Sequence, residues 1–290
     1  MFYYTAYGLG IHSELPCPEL SPGEQISPDI VIQVRKLDSL EQLTPSNGAC
    51  FLGETPGVGT FLVQNGNEII IDPAPGVDDS LLRTIILGPI LAVLLRQRGL
   101  AVLHASGVAT SNHAIAFLGQ SGWGKSTLAG ALYERGYSVI TDDVMAVRVD
   151  DSYPHVLPGY PSIKLFPDTA TFLGCDGSAT HLVHSQTEKR AHSATLRFPD
   201  KPFPLQRMYV LAFGECNKIT PLQPREVFME LVRNSRAASL LKDVDSLNAH
   251  LHQCARLAAE VPVFRLQRRP ALSALPDVVR LIEEDLAGNV

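Results

Sequence analysis

The chain of 290 residues has no long uninterrupted apolar run. Its longest apolar stretch, residues 81–95, is interrupted by Arg83 and Pro89. It is also shorter than the ~20 residues that a helix needs to cross a bilayer. We therefore predict a buried core helix there and no membrane partner. The first residues, Met1-Phe2-Tyr3-Tyr4, lack the charged and apolar regions of a signal peptide, so none is expected.

The chain also lacks an excess of basic charge. Lys and Arg number 24 against 30 Asp and Glu, so the formal net charge is −6. A nucleic-acid surface depends on clustered Lys and Arg that neutralise phosphates. The densest basic cluster is Arg265, Arg268 and Arg269, which we interpret as a solvated strand end. We therefore expect no nucleic-acid partner.

Cysteine is scarce, and its spacing forms no recognisable site. The five cysteines are an odd number, and no two have C-x-x-C spacing. This usage is typical of a reduced, cytoplasmic protein rather than of a disulfide-stabilised secreted one. The cysteines are Cys17, Cys50, Cys175, Cys216 and Cys254.

The first part of the chain is rich in β-forming residues. Residues 1–77 contain five such runs, and Asn65-Gly66 between the last two is a hairpin turn signal. We predict a small β-rich N-terminal domain over 1–77 and a second domain over 78–290. The five runs are Phe2–Ile11, Asp29–Val34, Cys50–Gly53, Thr60–Gln64 and Glu68–Ile71.

From residue 78 onward, helical and strand patterns alternate. Asp78 begins a helical pattern that ends at Gly99. Residues 151–205 read as loop with short strands. Later helical periodicity covers Arg225–Leu241, Asp245–Glu260 and Leu275–Leu286, with strands predicted at Met208–Phe213 and Val263–Leu266.

Residues 119–127 fit the phosphate-binding loop pattern G-x-x-x-x-G-K-[ST]. The apolar run Ala114–Leu118 precedes them and a helical pattern over Thr127–Glu134 follows, which is the strand–loop–helix context that the motif requires. Glycines let backbone N–H groups turn toward phosphate oxygens, and the helix N-terminus adds partial positive charge. We predict a nucleoside triphosphate site formed by Gly119, Gln120, Ser121, Gly122, Trp123, Gly124, Lys125, Ser126 and Thr127.

Charged residues at and after the loop extend this prediction. In such loops the lysine reaches the β- and γ-phosphates and the serine hydroxyl ligates Mg²⁺, which assigns Lys125 and Ser126. Asp142-Asp143 ends the next predicted strand, where a carboxylate holds Mg²⁺ directly or through water. Since adjacent strand residues point to opposite sides, one carboxylate can face the metal and the other an acceptor hydroxyl. We expect the neighbouring like charge to raise one of the two pKa values and favour a base role.

The run His104-Ala105-Ser106-Gly107-Val108, followed by the loop, by Arg135-Gly136-Tyr137 and by Thr141-Asp142-Asp143, resembles the catalytic domain of the HPr kinase/phosphorylase superfamily. The resemblance covers residues 104–143. It implies an α/β fold with a P-loop kinase domain of the HPr kinase/PEP carboxykinase type, a mixed central sheet and a homo-oligomer. It also implies that Asp143 accepts the proton of a serine hydroxyl, Lys125 steadies the phosphoryl group, and Ser126 and Asp142 hold Mg²⁺. His104 lines the site.

Past residue 150 the chain departs from that family. The family carries a metal-binding Glu in a Glu-Ile-Arg-Gly-like segment, whereas residues 161–165 here hold no carboxylate and place Lys164 where the family has Arg. This departure puts the phosphorolytic reverse reaction and HPr as substrate in question. From looser resemblances, the predicted phosphate or substrate contacts are Lys164, Lys189, Arg190 and Arg207.

The N-terminal residues 3–16 resemble HPr-kinase-like proteins of lasso-peptide gene clusters. Those proteins in turn look like kinases that phosphorylate the terminal serine of a precursor peptide. The expected function is therefore an ATP- and Mg²⁺-dependent kinase for a serine-bearing peptide or protein, and the more specific expectation is the C-terminal serine of a lasso-type precursor peptide. A nucleotide-gated regulatory protein without transfer activity and a true HPr kinase stay open. A GTPase is a further alternative, because residues 217–220 resemble Asn-Lys-x-Asp, with Thr220 replacing the Asp.

Overall fold

The computed structural model describes residues 1–37, 50–150, 152–175, 179–240 and 244–288. Elements are numbered in chain order. The first seven strands are β1 (Phe2–Ala6), β2 (Leu9–Ser13), β3 (Ser21–Pro22), β4 (Ile30–Val34), β5 (Cys50–Thr55), β6 (Gly59–Gln64) and β7 (Glu68–Pro73). They form one sheet in the order β3-β1-β2-β4-β7-β6-β5, which confirms the β-rich character of this part.

The predicted turn between β6 and β7 has the expected geometry. Asn65 has φ of 56° and Gly66 has φ of 64°. Positive φ at both central residues defines the turn that matches the twist of a hairpin. The domain boundary predicted after residue 77 stays a prediction. The core under this sheet also includes later residues such as Leu91, Val144 and Tyr160.

The apolar stretch at residues 81–95 is a buried helical segment, as predicted. It consists of α1 (Asp79–Ile85), a π-helical turn (Ile86–Ile90) that contains Pro89, and α2 (Leu91–Gln97). Asp78 caps it, since its side chain accepts a hydrogen bond from the Leu81 N–H. Within the described residues, none of the helices has the length and apolar character needed to cross a membrane.

Nine later strands of the described chain form a mixed central sheet. They are β8 (Ala101–Leu103), β9 (Ala105–Ala109), β10 (Ala114–Leu118), β11 (Ser138–Thr141), β12 (Met145–Arg148), β13 (His155–Val156), β17 (Phe203–Phe213), β18 (Lys218–Pro221) and β19 (Val263–Arg268). Their order is β11-β9-β10-β17-β13-β12-β8, with β19 paired to β17 and β18 paired to β19. Strands β10, β17 and β19 are parallel, whereas β9 is antiparallel to both β10 and β11.

These directions bring the predicted site residues to one edge of the sheet. Strands β10 and β11 both run antiparallel to β9, so their C-terminal ends and the start of β9 lie at the same edge. The loop that begins at Gly119 follows β10, Asp142 follows β11, and His104 precedes β9. Residues far apart in the chain therefore meet where three strands end or begin.

Helices cover both faces of this sheet. On one face lie α3 (Lys125–Glu134) and α7 (Leu275–Leu286); on the other lie α5 (Pro224–Arg233) and α6 (Val244–Glu260). Strand β10 alternates between the two cores: Ile115 and Phe117 pack with α3 and α7, and its three other residues pack toward α5 and α6. All five are fully buried, which explains why the strand is apolar at every position.

Two predictions for the later part of the chain were incomplete. The predicted helix Arg225–Leu241 ends at Arg233, and Ala237 has a left-handed φ of 57°; Leu241 lies outside the described residues. The segment read as loop also contains α4 (Pro167–Leu173), which the proline at its first position could have signalled. Its strands β14 (Ser162–Leu165), β15 (Ala179–Leu182) and β16 (Arg190–Ser193) form a small sheet in the order β14-β16-β15.

Stability should depend on pH through His250 on α6. This side chain is 3% exposed and lies 3.3 Å from Arg96 Nη1, and burial, followed by the Arg96 charge, lowers the pKa of His250 to about 4. The unfolded pKa is about 6.5, so the unfolded chain binds the proton first as pH falls. When the pH falls from 7.5 to 5.5, the free energy of unfolding of the wild type should fall by about 1.4 kcal/mol more than that of His250→Gln. Urea unfolding at the two pH values measures this difference.

The exposed neighbour His252 gives the matched control for this measurement. Because its side chain is solvated, His252→Gln should keep the pH dependence of the wild type. Equal losses of unfolding free energy in His250→Gln and the wild type would contradict the assignment.

Candidate active site

Residues 119–127, called the phosphate loop, join the end of β10 to the first turn of α3. Gly119, Gly122 and Gly124 have φ of 146°, 82° and 87°, values that side-chain-bearing residues rarely adopt. Gly124 directly precedes Lys125, the first residue of α3. The partial positive charge of the helix N-terminus therefore lies beside the loop amides, as an anion site requires.

Carbonyl contacts set the direction of the loop amides. Lys125 Nζ donates to Gly119 O at 2.7 Å and to Gln120 O at 3.1 Å, and Arg268 Nη2 donates to Trp123 O at 2.7 Å. In a trans peptide the C=O and the following N–H point in opposite directions. Each of these carbonyls therefore leaves the N–H of the next residue pointing away from the cation that the carbonyl binds.

A hydroxyl and a carboxylate beside the loop form a set of hard oxygen ligands. Ser126 Oγ donates to Asp142 Oδ1 at 2.9 Å. The carboxylate is 3% exposed and also accepts from Ser106 Oγ at 2.5 Å and from the Lys164 N–H at 2.9 Å. Mg²⁺ prefers oxygen ligands and uses one or two protein groups together with phosphates and water. Ser126 and Asp142 fit that role.

Asp143, His104 and Lys125 form a hydrogen-bonded chain. His104 Nδ1 lies 2.8 Å from Asp143 Oδ1, and His104 Nε2 lies 3.0 Å from Lys125 Nζ. An ammonium group only donates, so Nε2 accepts and the Nδ1–H donates to the carboxylate. The predicted base and the predicted phosphate-binding lysine are thus held by the same imidazole.

The two aspartates line one cavity, contrary to the expectation that they point to opposite sides. Asp143 adopts a left-handed φ of 80°, so the chain leaves the strand geometry on which that expectation depended. Their partners nevertheless differ. Asp142 contacts hydroxyl and amide groups, whereas Asp143 contacts His104, Lys164 Nζ at 3.5 Å and Arg236 Nη2 at 3.3 Å.

The expected rise in the pKa of an aspartate is wrong for Asp143. Burial would raise the pKa of this carboxyl, but Lys164, the hydrogen bond from His104 and Arg236 outweigh it and hold the pKa well below its usual range. Burial has the opposite effect on the Lys125 ammonium group. It lowers the pKa of Lys125 to about 8, although the nearby aspartates oppose the shift. Asp143 is therefore an ionised acceptor at neutral pH.

The cavity around the loop has a volume of about 350 Å³ and contains two of the four predicted contacts past residue 150. Lys164 and Lys189 line it, and Lys189 Nζ lies 5.0 Å from the centre of the Phe166 ring. The structure does not bring the other two residues to this cavity. Arg190 is exposed outside the cavity lining, and Arg207 binds Asp285 on α7, away from the loop.

Three residues of the site escaped the sequence prediction: Arg236, Asn234 and Arg268. Asn234 Oδ1 accepts the Gly119 N–H at 2.9 Å, and its backbone O accepts the His104 N–H at 2.6 Å. Arg268 was interpreted as part of a solvated strand end, but it is 9% exposed and packs against the loop. No local motif marks these residues, because they reach the site only through the ends of α5 and β19.

The segment compared with a guanine-reading motif is part of a strand connection. Asn217 Oδ1 accepts the Arg269 N–H at 3.2 Å, and Lys218 begins β18. The Asn217 amide is therefore used to join two loops at this edge of the sheet.

Comparisons with known proteins identify no family for this chain. No family model matches, and no curated protein matches. Among solved structures, the HPr(Ser) kinase/phosphatase from Coxiella burnetii aligns at 12% identity and a TM-score of 0.35, over 64% of this chain and 91% of that chain. A likeness this distant is evidence for neither a family nor a function of this chain.

Proposed function

We propose that this protein is an ATP- and Mg²⁺-dependent kinase that transfers the γ-phosphoryl group to a serine hydroxyl of a peptide or protein. One observation carries the proposal: Lys125 and Asp143 meet on His104 beside the Ser126–Asp142 pair. The groups that would bind phosphate, hold the metal and accept the proton therefore lie together at the end of a single loop, as phosphoryl transfer requires.

The loop amides, the α3 N-terminus and Lys125 would bind the triphosphate. Mg²⁺ held by Ser126 and Asp142 would neutralise charge on the phosphates. The serine Oγ–P bond forms as the bond from the γ-phosphorus to the ADP oxygen breaks, and the hydroxyl proton passes to Asp143. Since Asp143 is a weak base, it takes the proton late, once bond formation has acidified the hydroxyl.

The terminal serine of a lasso-type precursor peptide is the finer acceptor that we propose. Its support is the resemblance of residues 3–16 to the kinase-like proteins of such gene clusters.

A nucleotide-gated regulatory protein is the second candidate. In its favour, Lys164 and Arg236 already neutralise Asp143, and among the described residues no three His, Cys, Asp or Glu side chains converge on a metal position.

Mass spectrometry with three acceptors in parallel separates these candidates. The protein would be incubated with Mg²⁺-ATP and a serine-terminated precursor peptide, HPr or free serine. We expect the mass of one added phosphate on the peptide alone, and loss of this product when the terminal serine is replaced by alanine. Product on HPr alone would favour a true HPr kinase. ATP binding without product from any acceptor would favour the regulatory protein.

A further inference from the structure

Beside the phosphate loop, on the side away from Asp143, lies an aromatic pair that the proposed chemistry does not use. Trp123 in the loop and Phe213 at the end of β17 have ring centres 5.6 Å apart. Phe213 is 45% exposed and Trp123 is half-buried. Single exposed apolar side chains are ordinary on protein surfaces, so the pair becomes informative only through its surroundings.

Arg268 holds both aromatic residues. Its Nη2 donates to Trp123 O at 2.7 Å, and its guanidinium lies 5.2 Å from the centre of the Phe213 ring. It is 9% exposed, its buried Nε–H has no partner, and its hydrogen bonds go to backbone carbonyls. In the described ranges no carboxylate pairs with it. An uncompensated buried guanidinium is costly, and an anionic ligand on the loop would relieve that cost.

The sheet order separates the aromatic pair from Asp143. Asp143 follows β11, on one side of β10. Phe213 ends β17 and Arg268 ends β19, on the other side. If the phosphates of a nucleotide lie on the loop with the γ-phosphate toward Asp143, its nucleoside end lies toward β17 and β19.

One cavity joins the loop to the aromatic pair. It measures about 730 Å³ and is lined by Gly119, Gln120 and His104 as well as Trp123 and Phe213. Its volume lies within the range of small-molecule sites, about 300–1,000 Å³. A ligand that fits both parts has phosphates and a flat ring system.

We propose that Trp123 and Phe213 form the nucleobase subsite of the triphosphate site, with Arg268 as the residue that positions both. The inference rests on the proposed nucleotide site and adds the chemical class of the group bound beyond the phosphates. Stacking on aromatic rings is a general way to bind a base, because every base has a flat π-face.

Trp123 is the one tryptophan of the chain, so its fluorescence reports this subsite directly. Mg²⁺-ATP should change the emission of the wild type, and Mg²⁺-tripolyphosphate, which lacks the base, should bind with a smaller change. Phe213→Leu should raise the Kd for ATP about ten-fold, equivalent to about 1.4 kcal/mol. Calorimetry should show an unchanged Kd for tripolyphosphate.

Phe172 on α4 is a matched control, because it has the same 45% exposure and lies outside both cavity linings. Phe172→Leu should bind both ligands like the wild type. An unchanged ATP affinity in Phe213→Leu, or an equal loss for ATP and tripolyphosphate, would overturn the subsite. If ATP binds through this subsite and no acceptor is phosphorylated, the kinase proposal fails and the subsite stands. If the wild type binds neither ligand, both fail.

Discussion

Asp143→Asn should lower the turnover of phosphoryl transfer by about 10²–10⁴-fold, the range typical of losing a general base. Asparagine keeps the shape and a carbonyl oxygen facing His104 but cannot take the serine proton. It also tolerates the left-handed φ of 80° at this position, where alanine would add backbone strain. Binding of Mg²⁺-ATP should persist or tighten, since removing the carboxylate leaves Lys164 and Arg236 free to attract phosphate.

Turnover would be measured with the acceptor found by mass spectrometry, and ATP affinity by calorimetry on the same samples. Asp277→Asn is the control, because that carboxylate is exposed on α7 and should change neither quantity. Near-normal turnover in Asp143→Asn would remove Asp143 as the proton acceptor. A parallel loss of ATP binding would instead indicate a role in holding the nucleotide.

Gly124→Ala should weaken ATP binding about 100-fold. A Cβ at this position would lie 2.2 Å from Arg268 Nη2, so the guanidinium would have to leave the Trp123 carbonyl that it orients. The left-handed φ of 87° adds roughly 1–2 kcal/mol of strain for any residue with a Cβ. A lost hydrogen bond to a charged group adds about 1.5–3 kcal/mol, and each 1.4 kcal/mol is ten-fold in affinity.

A substitution at Gly122 distinguishes the effect of backbone strain from the effect of a clash with Arg268. The Gly122 φ of 82° is nearly that of Gly124, but a Cβ there would meet nothing within 4 Å. Gly122→Ala should therefore carry the strain alone and weaken ATP binding about ten-fold. Equal affinities for the two variants would show that the Arg268 contact contributes nothing to the loop.

Much of the site was predictable because its main parts depend on local sequence. A glycine-rich loop between an apolar strand and a helix has few possible backbone paths, so the phosphate loop and the start of α3 followed from residues 114–134. The α/β fold with a mixed central sheet and a β-rich first part was confirmed. The end of α5 was missed, because helical periodicity continues in the sequence past Arg233. In the structure Asn234 is the C-cap of α5, and its side-chain oxygen accepts the Gly119 N–H.

Two errors about charged groups share one physical origin, because the partners of these groups are distant in the chain. The pKa of Asp143 was expected to rise beside Asp142, but Lys164 and Arg236, from other parts of the fold, reverse the direction. Arg207 was predicted to contact phosphate, yet Asp285 on α7 binds it. Ion pairs depend on distance and burial, which a linear pattern does not contain.

The sequence by itself identified the glycine-rich loop, its lysine and serine, and the aspartates and histidine proposed to act with them, because short spacings and residue chemistry mark these residues. Only the tertiary structure decided how they meet: β9, β10 and β11 bring His104, Lys125 and Asp143 to one edge. It also placed Arg268 and Phe213 on the far side of the loop. Strand order and direction are set by packing across the whole sheet, so they lie beyond any local motif.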